Sequence, residues 1–475
     1  MVSLVAKFKK VGTLKVVKNF SELVFGNLVY QVFNLLSLIY IARRLKSEGF
    51  GEFSYLLVQG QLFATIASIG IKNILIRNIA RDLNQSNTIF WAGIYLQGIG
   101  FIGSIILLGL YSWLVSPYDA FTFVILSINI MSLNFWDTSE AVYMAHQRML
   151  YPGVLKSITL AIWVVFIFVI SNKLFTYQTM FITYTIVLFI NIVVAYFALK
   201  QAKLLDNKIV DFTATVKNIF GQALPYFILI VVNLPINFLA NNFLKINSSN
   251  AELGYFNTSN RLTQPVKLIT TLALSSFFPN VSVLWVNNAE RFKDKIQQLM
   301  PLFINILLLI CVFFSIFSKE IILIVFGKDY LPAIFIFKYQ IWFVFLFTIQ
   351  GLVGTLWMAA DKQRILSICG IANAILCTPV LWFGSYYGAK GEALAYFLSY
   401  LIITPLLFFV FYRSLKLTFS VMIKPSIASL AVIAIGIFIP DNSLILRIGV
   451  CALIFFVILY FNNGSIKAFF KRENQ

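Results

Sequence analysis

Residues 143–149 read YMAHQRM, and residues 357–364 read WMAADKQR. Each stretch ends a long apolar run with Met-Ala, a short polar step and Gln-Arg. A second pair of related segments lies earlier in each half of the chain, where EGFGEF (48–53) and AELGYF (251–256) share Glu, Gly and Phe. Because both correspondences keep the same order, they predict a chain built from two related halves.

Amide side chains recur in the same two halves. They form two stripes, one in each half: Asn27, Gln31 and Asn34, then Asn233, Asn237 and Asn241. Steps of three and four residues place each stripe on one face of a helix. Such amides either join helices by hydrogen bonds or line a hydrated crevice. Together with the two related segments, they favour parallel six-helix repeats, as in transporters that bind substrate between the repeats.

The composition indicates that these repeats lie in a membrane. Of the 475 residues, 60% are hydrophobic and only 12% are charged, and the mean hydropathy is +0.87. Soluble chains have about 25% charged residues. Apolar runs of about 20 residues, enough to cross a hydrocarbon core, recur from end to end. The predicted class is therefore an all-α integral membrane protein.

Apolar runs and their polar boundaries predict about fourteen transmembrane helices, with twelve as the alternative. They lie near residues 20–42, 51–71, 88–115, 119–145, 151–171, 177–199, 217–244, 252–286, 298–317, 331–358, 364–385, 389–412, 421–440 and 443–462. The predicted division is an N-terminal six-helix lobe (1–211), a C-terminal six-helix lobe (212–417), and two appended helices with a cytoplasmic tail (418–475).

The distribution of Lys and Arg predicts the orientation. Basic residues collect in alternate loops and in the N-terminal tail, which favours cytoplasmic N- and C-termini in the plasma membrane. The net charge of +19 then reflects the cytoplasmic membrane face and membrane lipids, not a nucleic-acid partner. No cofactor and no metal site is predicted.

The segment 257–272, NTSNRLTQPVKLITTL, brings cations into the predicted eighth span. Within it, Asn257, Arg261, Gln264 and Lys267 fall on one helix face. A cation in hydrocarbon costs roughly 2.5–3.5 kcal/mol, so this stripe is expected to face water or polar groups. With the amide stripes it predicts a positive, hydrogen-bonding crevice suited to anionic phosphates and hydroxyl-rich sugars.

Several intramembrane charges leave alternatives open. Asp137 and Glu140, one turn apart in the predicted fourth span, either couple transport to protons or sodium or form a salt bridge, with Arg261 as a conceivable partner. Arg261 could also extend to the outer headgroups. Arg77, at the inner end of the second span, either adds charge to the crevice or is only a topology signal.

Four segments resemble the polysaccharide transporter branch of the MOP superfamily, the Wzx-type flippases of oligosaccharide repeat units. They are IARRLKSEGFGEFSY (41–55), GIKNILIRNIARD (70–82), FGKDYLPA (326–333) and YYGAKGEALAYFLSY (386–400). The resemblance implies two six-helix bundles in a MATE-like fold, alternating access, and a central cavity lined by spans one, two, seven and eight. In that arrangement cavity arginines hold a diphosphate, and Arg261 fits the role. Lys390 and Glu392 depart from the Gly- and Ala-rich run usual in relatives.

The resemblance implies a function without covalent chemistry, so the chain is not expected to be an enzyme. It implies the movement of an isoprenoid-diphosphate-linked oligosaccharide from the cytoplasmic to the outer leaflet, for O-antigen, capsule or exopolysaccharide. A polymerase and chain-length machinery are expected partners. The alternatives are a drug or organic-cation antiporter of the same superfamily, and a membrane-embedded polymerase or ligase.

Overall fold

The computed structural model describes residues 2–206, 208–234 and 238–415, together with 432–435, 438, 447–452 and 454. Throughout these residues the chain forms α-helices with short 3₁₀ turns and no strands, which confirms the predicted all-α class. Nine stretches of the described residues are long and apolar enough to cross a membrane. Most of the two predicted C-terminal spans, 421–440 and 443–462, lies outside the described residues.

The chain divides into two compact units, Met1–Leu234 and Pro235–Gln475. The first unit contains α1 (Val2–Ala67), α2 (Lys72–Arg81), α3 (Ser86–Leu114), α4 (Ala120–Ala145), α5 (Leu150–Val169), α6 (Tyr177–Gln201) and α7 (Phe212–Leu234). The second contains α8 (Ala240–Asn247), α9 (Asn250–Asn287), α10 (Ala289–Ile316), α11 (Ser318–Val325), α12 (Ala333–Ala359), α13 (Gln363–Ser385) and α14 (Gly388–Leu415). The helix α7 packs with the first unit, against α3; the lobes 1–211 and 212–417 stay a prediction.

The helix α1 joins the first two predicted spans. Its helical geometry breaks at Lys46, where φ is 57°, a left-handed conformation that is costly for a non-glycine residue. The break falls between the predicted spans 20–42 and 51–71. At Gly26, within the first predicted span, α1 crosses α5 closely, because a Cβ atom on Gly153 would lie only 2.6 Å from the Cα atom of Gly26.

The short helix α2 positions the charged residues of the first unit. Ile74, Leu75 and Ile79 are buried and pack in a core cluster with residues of α3, α4 and α7. Burying this apolar face leaves the charged side chains of α2 at its edge. The predicted second span, 51–71, therefore ends in a turn, and 72–81 form a separate amphipathic helix.

The helix α12 lies at the centre of the second unit. It packs against α9, α14 and α10, and its tryptophans are buried. Trp342 Nε1 donates to Ser315 Oγ at 3.1 Å, and Trp357 Nε1 donates to Ser414 Oγ at 2.8 Å. Indole N–H groups are usually hydrogen-bonded when buried, so these contacts fix the register of α12 against α10 and α14.

Candidate functional site

A cavity of about 150 Å³ opens inside the second unit. Its walls come from α8, α9, α12 and α14, and its lining residues are Asn241, Phe256, Asn260, Thr263, Lys267, Gln340, Phe343, Phe347 and Tyr396. This volume holds several water molecules. An ammonium group, amides and aromatic rings therefore share one space within a single unit.

Lys267 supplies the charge of the cavity. Asn260 and Lys267 are seven residues apart on α9, so they lie on the same face, two turns apart. The Lys267 ammonium donates to Asn260 Oδ1 at 3.2 Å and lies 5.4 Å from the centre of the Phe343 ring. Within the described part of the chain, no carboxylate forms an ion pair with it. Among the described residues, an amide oxygen and the face of an aromatic ring are thus the contacts of the positive charge.

The amide groups in and beside the cavity differ in how fully they are hydrogen-bonded. Asn257, just 3% exposed, donates to Asn241 Oδ1 at 2.6 Å and to the carbonyl of Leu253 at 3.0 Å. Gln340 donates to the carbonyl of Phe256 at 3.2 Å, and among the described residues its Oε1 atom has no hydrogen-bond partner. An unsatisfied buried acceptor costs about 1–3 kcal/mol, so Gln340 Oε1 calls for a donor from water or a ligand.

Aromatic rings form the apolar wall. The Phe343 and Tyr396 ring centres are 4.9 Å apart, and Phe256 stacks on Tyr396 at 6.2 Å. Binding sites for small molecules combine such apolar surface with a few fixed polar groups. Here the rings can cover the carbon face of a sugar, the amides can bind hydroxyls and Lys267 can bind an anion.

The structure brings three of the residues predicted for the site together, namely Asn241, Asn257 and Lys267. Arg261 and Gln264 are half-buried on α9 and are not part of the cavity lining given by the described residues. The stripe Asn27, Gln31 and Asn34 is half-buried on α1, in the first unit. Asn233 lies on α7, but its side chain, like the whole of Asn237, lies outside the described residues.

Most of the residues that line the cavity were not predicted from the sequence. These residues are Phe256, Asn260, Thr263, Gln340, Phe343, Phe347 and Tyr396. Asn260 could have been found, because it shares the face of Lys267. Gln340, an amide inside an apolar run, was a weaker signal. The aromatic residues could not be told from ordinary core residues by sequence.

Asp137 and Glu140 lie in a separate cluster in the first unit. The ammonium of Lys72 contacts Asp137 Oδ1 and Glu140 Oε2, both at 2.9 Å. Glu140 Oε2 also accepts from Lys156 at 3.0 Å and from Trp136 Nε1 at 2.8 Å. The two acids thus form salt bridges, one of the two alternatives that the sequence allowed, and their partners are lysines of the same unit. Ion coupling at these acids stays a prediction.

Arg77 also contacts a neighbour in the first unit. Its side chain is exposed, and its guanidinium donates to Gln222 Oε1 on α7. Gln222 in turn donates to Asn218 Oδ1 at 2.8 Å. The contacts tie α2 to α7, and a role of Arg77 toward substrate stays a prediction.

Comparison with known proteins places this architecture in a family. The sequence pattern of the family described as "Polysaccharide biosynthesis protein" matches residues 16–285. The chain belongs to this family. The resemblance drawn from the sequence is thereby confirmed. Among curated proteins, no match was found.

Solved structures show the same fold. The "Lipid II flippase MurJ, inward closed conformation" has a TM-score of 0.70 at 15% identity, covering 94% of this chain and 99% of that one. An inward-facing MATE family multidrug resistance transporter of the MOP superfamily gives 0.63 at 12% identity, covering 82% and 94%. A MOP superfamily transporter from Pyrococcus furiosus gives 0.54 at 13%, covering 85% and 96%. The predicted MATE-like fold is confirmed, and the chain is a multi-pass membrane protein.

Proposed function

We propose that this protein flips an isoprenoid-diphosphate-linked oligosaccharide repeat unit from the cytoplasmic to the outer leaflet of the plasma membrane. Alternating access moves the sugar for O-antigen, capsule or exopolysaccharide synthesis, and both termini lie in the cytoplasm. Membership of a polysaccharide biosynthesis family and a fold shared with a lipid II flippase support the proposal. The observation that carries it is Lys267, a cation held in a cavity without an acidic partner among the described residues.

The chemistry of the cavity suits such a substrate. A phosphate oxygen would be the negatively charged partner that the Lys267 ammonium does not have among the described residues. Charge-assisted hydrogen bonds of this kind are roughly twice as strong as neutral ones. A sugar hydroxyl supplies the donor that Gln340 Oε1 lacks. At about 150 Å³ the cavity is smaller than the 300–1,000 Å³ typical of sites that enclose a whole ligand, so it serves as one subsite for part of the headgroup.

The remaining predicted residues extend the proposed path. Arg261 provides a second cation for the diphosphate, beside Gln264 on the same helix. In the first unit, Arg77 and the amides of α1 contribute polar contacts, as do the amides of the segment around Asn233. Polymerase and chain-length proteins receive the exported unit, and transport needs no covalent step. Ion coupling through Asp137 and Glu140 belongs to the same proposal.

Two other functions are weaker fits. A drug or organic-cation antiporter of the same superfamily calls for acidic groups in its cavity, whereas the charge in the described cavity is the ammonium of Lys267. A membrane-embedded polymerase or ligase calls for reactive polar residues in a long outer loop, and the sequence predicts only short outer loops. These expectations favour the flippase.

Complementation tests the proposal in cells. The protein is expressed in a bacterial strain without its own polysaccharide flippase, and surface polysaccharide is measured beside the amount of protein in the membrane. We expect the wild-type chain to restore export and Lys267→Gln and Arg261→Ala to lose most of it at equal membrane level. Lys245→Gln is the matched control, because Lys245 donates to Asn250 Oδ1 at 2.8 Å and does not line the described cavity.

A binding measurement distinguishes the substrate classes. Purified protein is mixed with an isoprenoid diphosphate-linked sugar or with the organic cation tetraphenylphosphonium. The proposal expects binding of the lipid, competition by inorganic pyrophosphate, and loss of binding in Lys267→Gln. Binding of the cation without binding of the lipid would instead support the antiporter.

A further inference from the structure

Glu392 is the least satisfied charged residue that the structure describes. It lies near the start of α14, in the segment GAKGEALA (388–395). The residue is 0% exposed, and neither of its carboxylate oxygens has a hydrogen-bond partner among the described residues. It is not one of the residues that line the cavity of Lys267. Its burial therefore needs a separate explanation.

Close packing of α13 against α14 excludes water from this carboxyl. Gly384 on α13 faces it, because a Cβ atom built on Gly384 would lie 3.3 Å from Glu392 Oε2 and 2.5 Å from the Cβ of Ala395. A Cβ on Gly391 would overlap the carbonyl oxygen of Gly384. Two glycines thus let the helix backbones approach, and the carboxyl is held against α13.

The helices around α14 carry no described group that binds Glu392. The titratable and charged side chains on α14 and on the helices that pack against it include Lys390, Tyr396 and Tyr400 (α14), Cys369 and Cys377 (α13) with Tyr386 just after α13, Lys338 and Tyr339 (α12), Glu252, Tyr255, Arg261 and Lys267 (α9) and Lys245 (α8). Three of the lysines have other contacts. The ammonium of Lys390 lies over the Phe335 ring, and those of Lys267 and Lys245 donate hydrogen bonds to the amide oxygens of Asn260 and Asn250. None of these groups is within hydrogen-bond distance of the Glu392 carboxyl.

A nearby glutamate, unlike Glu392, accepts a hydrogen bond in this region. Glu252 on α9 accepts the backbone N–H of Ala389 at 2.7 Å, at the N-terminus of α14, where the helix dipole favours negative charge. Glu392 lies one turn further into the same helix without such a donor. An ionised carboxylate in that position is strongly disfavoured, and buried acids take up a proton instead.

We propose that Glu392 is a proton-binding site whose occupancy is coupled to the packing of α13 against α14. With the helices packed, the neutral acid is the stable form. If they separate and admit water, the carboxyl ionises and releases its proton. By linkage, a proton that binds the packed arrangement better also stabilises that arrangement. A proton gradient can then bias the conformation of the second unit, whichever substrate it carries.

Infrared spectroscopy of the full-length protein in lipid vesicles tests the proton directly. At neutral pH we expect the carbonyl stretch of a protonated carboxylic acid in the wild type and its loss in Glu392→Gln. In Glu290→Gln the band should remain, because Glu290 is exposed at the start of α10. A band that persists unchanged in Glu392→Gln, or no such band in the wild type, overturns the proposal. The infrared measurement requires no transported substrate.

Thermal unfolding gives a second, independent readout. Where the folded protein keeps the proton and the unfolded chain releases it, wild-type stability should fall as the pH rises above the ordinary carboxyl range of about 4. The stability of Glu392→Gln, which is neutral at every pH, should fall less over the same range. Equal losses in the two proteins contradict the coupling. If Glu392→Gln does not accumulate, Glu392→Met keeps a similar volume without a titratable group and makes the same comparison.

Discussion

Two groups of buried charges, one in each unit, differ in how their charges are paired. In the first, Glu140 is 8% exposed and accepts from two lysines and an indole, so every charge in the cluster has a partner. In the second, Lys267 rests on an amide and a ring, and Glu392 has no partner among the described residues. A completed ion cluster holds helices together, whereas an incomplete one is left for a ligand or a proton. The difference predicts that loss of Glu140 acts first on stability, whereas loss of Lys267 or Glu392 acts first on the binding of a ligand or a proton.

Removal of Glu140 should produce the largest change. Glu140→Leu leaves Lys72 and Lys156 facing each other without their shared carboxylate, and breaking a buried pair costs about 3–5 kcal/mol. We expect a large fall in the thermal unfolding temperature of the detergent-purified protein and a low yield in the membrane. Fluorescence-detected thermal denaturation measures the shift.

A combined substitution sharpens this result. Lys72→Met, Asp137→Leu, Glu140→Leu and Lys156→Met together remove the cluster, and apolar replacement of a whole buried ion group is often neutral or stabilising. We expect this quadruple variant to recover most of the lost stability, and its export tests the proposed ion coupling. If stability returns but export does not, the cluster has a transport role, as ion coupling at Glu140 requires.

Substitution of Lys267 should affect stability in the opposite direction to substitution of Glu140. Lys267→Met removes a cation whose desolvation is not offset by an acid, so the unfolding temperature should stay level or rise. Export should fall roughly 10- to 100-fold, because a hydrogen bond to a charged group contributes about 1.5–3 kcal/mol. Lys156→Met is the matched control, since it should lower stability by disrupting the cluster of the first unit. Lower stability in both variants would remove the distinction between the two units.

Gln340 tests the neutral part of the cavity. Gln340→Leu removes an acceptor that has no described partner and also the hydrogen bond to the carbonyl of Phe256, so stability should fall by no more than about 1 kcal/mol. If a sugar hydroxyl binds there, affinity for the lipid-linked sugar should fall by about 0.5–1.5 kcal/mol, or roughly 2- to 10-fold. Affinity for inorganic pyrophosphate, which uses the charge of Lys267, should not change. Equal losses for both ligands would indicate a distorted cavity.

Sequence patterns predicted the fold better than the site. Apolar length and the repeated segments are enough for an all-α transporter, because bilayer thickness dictates span length. The same patterns placed the turn after Ala67 inside the predicted span 51–71. They did not predict α2, because a short amphipathic helix lacks the apolar run of a transmembrane helix. The stripe on α9 led to Lys267, but a stripe does not show which helix faces it. Gln340 and Phe343 come from α12, and only tertiary packing brings them to Lys267.

The smallest effect is expected at a third type of charge, a partly exposed carboxylate paired with a buried arginine in the second unit. Glu320 on α11 contacts Arg447 through two hydrogen bonds of 2.7 and 2.9 Å, and Arg447 also donates to the carbonyl of Ile316. The hydrogen bonds from Arg447 hold the pKa of Glu320 below its ordinary value.

A depressed carboxyl pKa contributes stability at neutral pH that is lost as the pH falls through that pKa. Because the Glu320 side chain is 33% exposed, solvent should limit this contribution to below about 1 kcal/mol. Glu320→Gln should therefore be slightly less stable than the wild type at pH near 7 and equal to it in strong acid. Unfolding temperatures measured across that pH range check the sign, and a difference that widens on acidification would contradict the ion pair. The size of the effect of substituting Glu140, Lys267 or Glu320 should therefore depend on the geometry of the partner groups and on exposure, and not on charge alone.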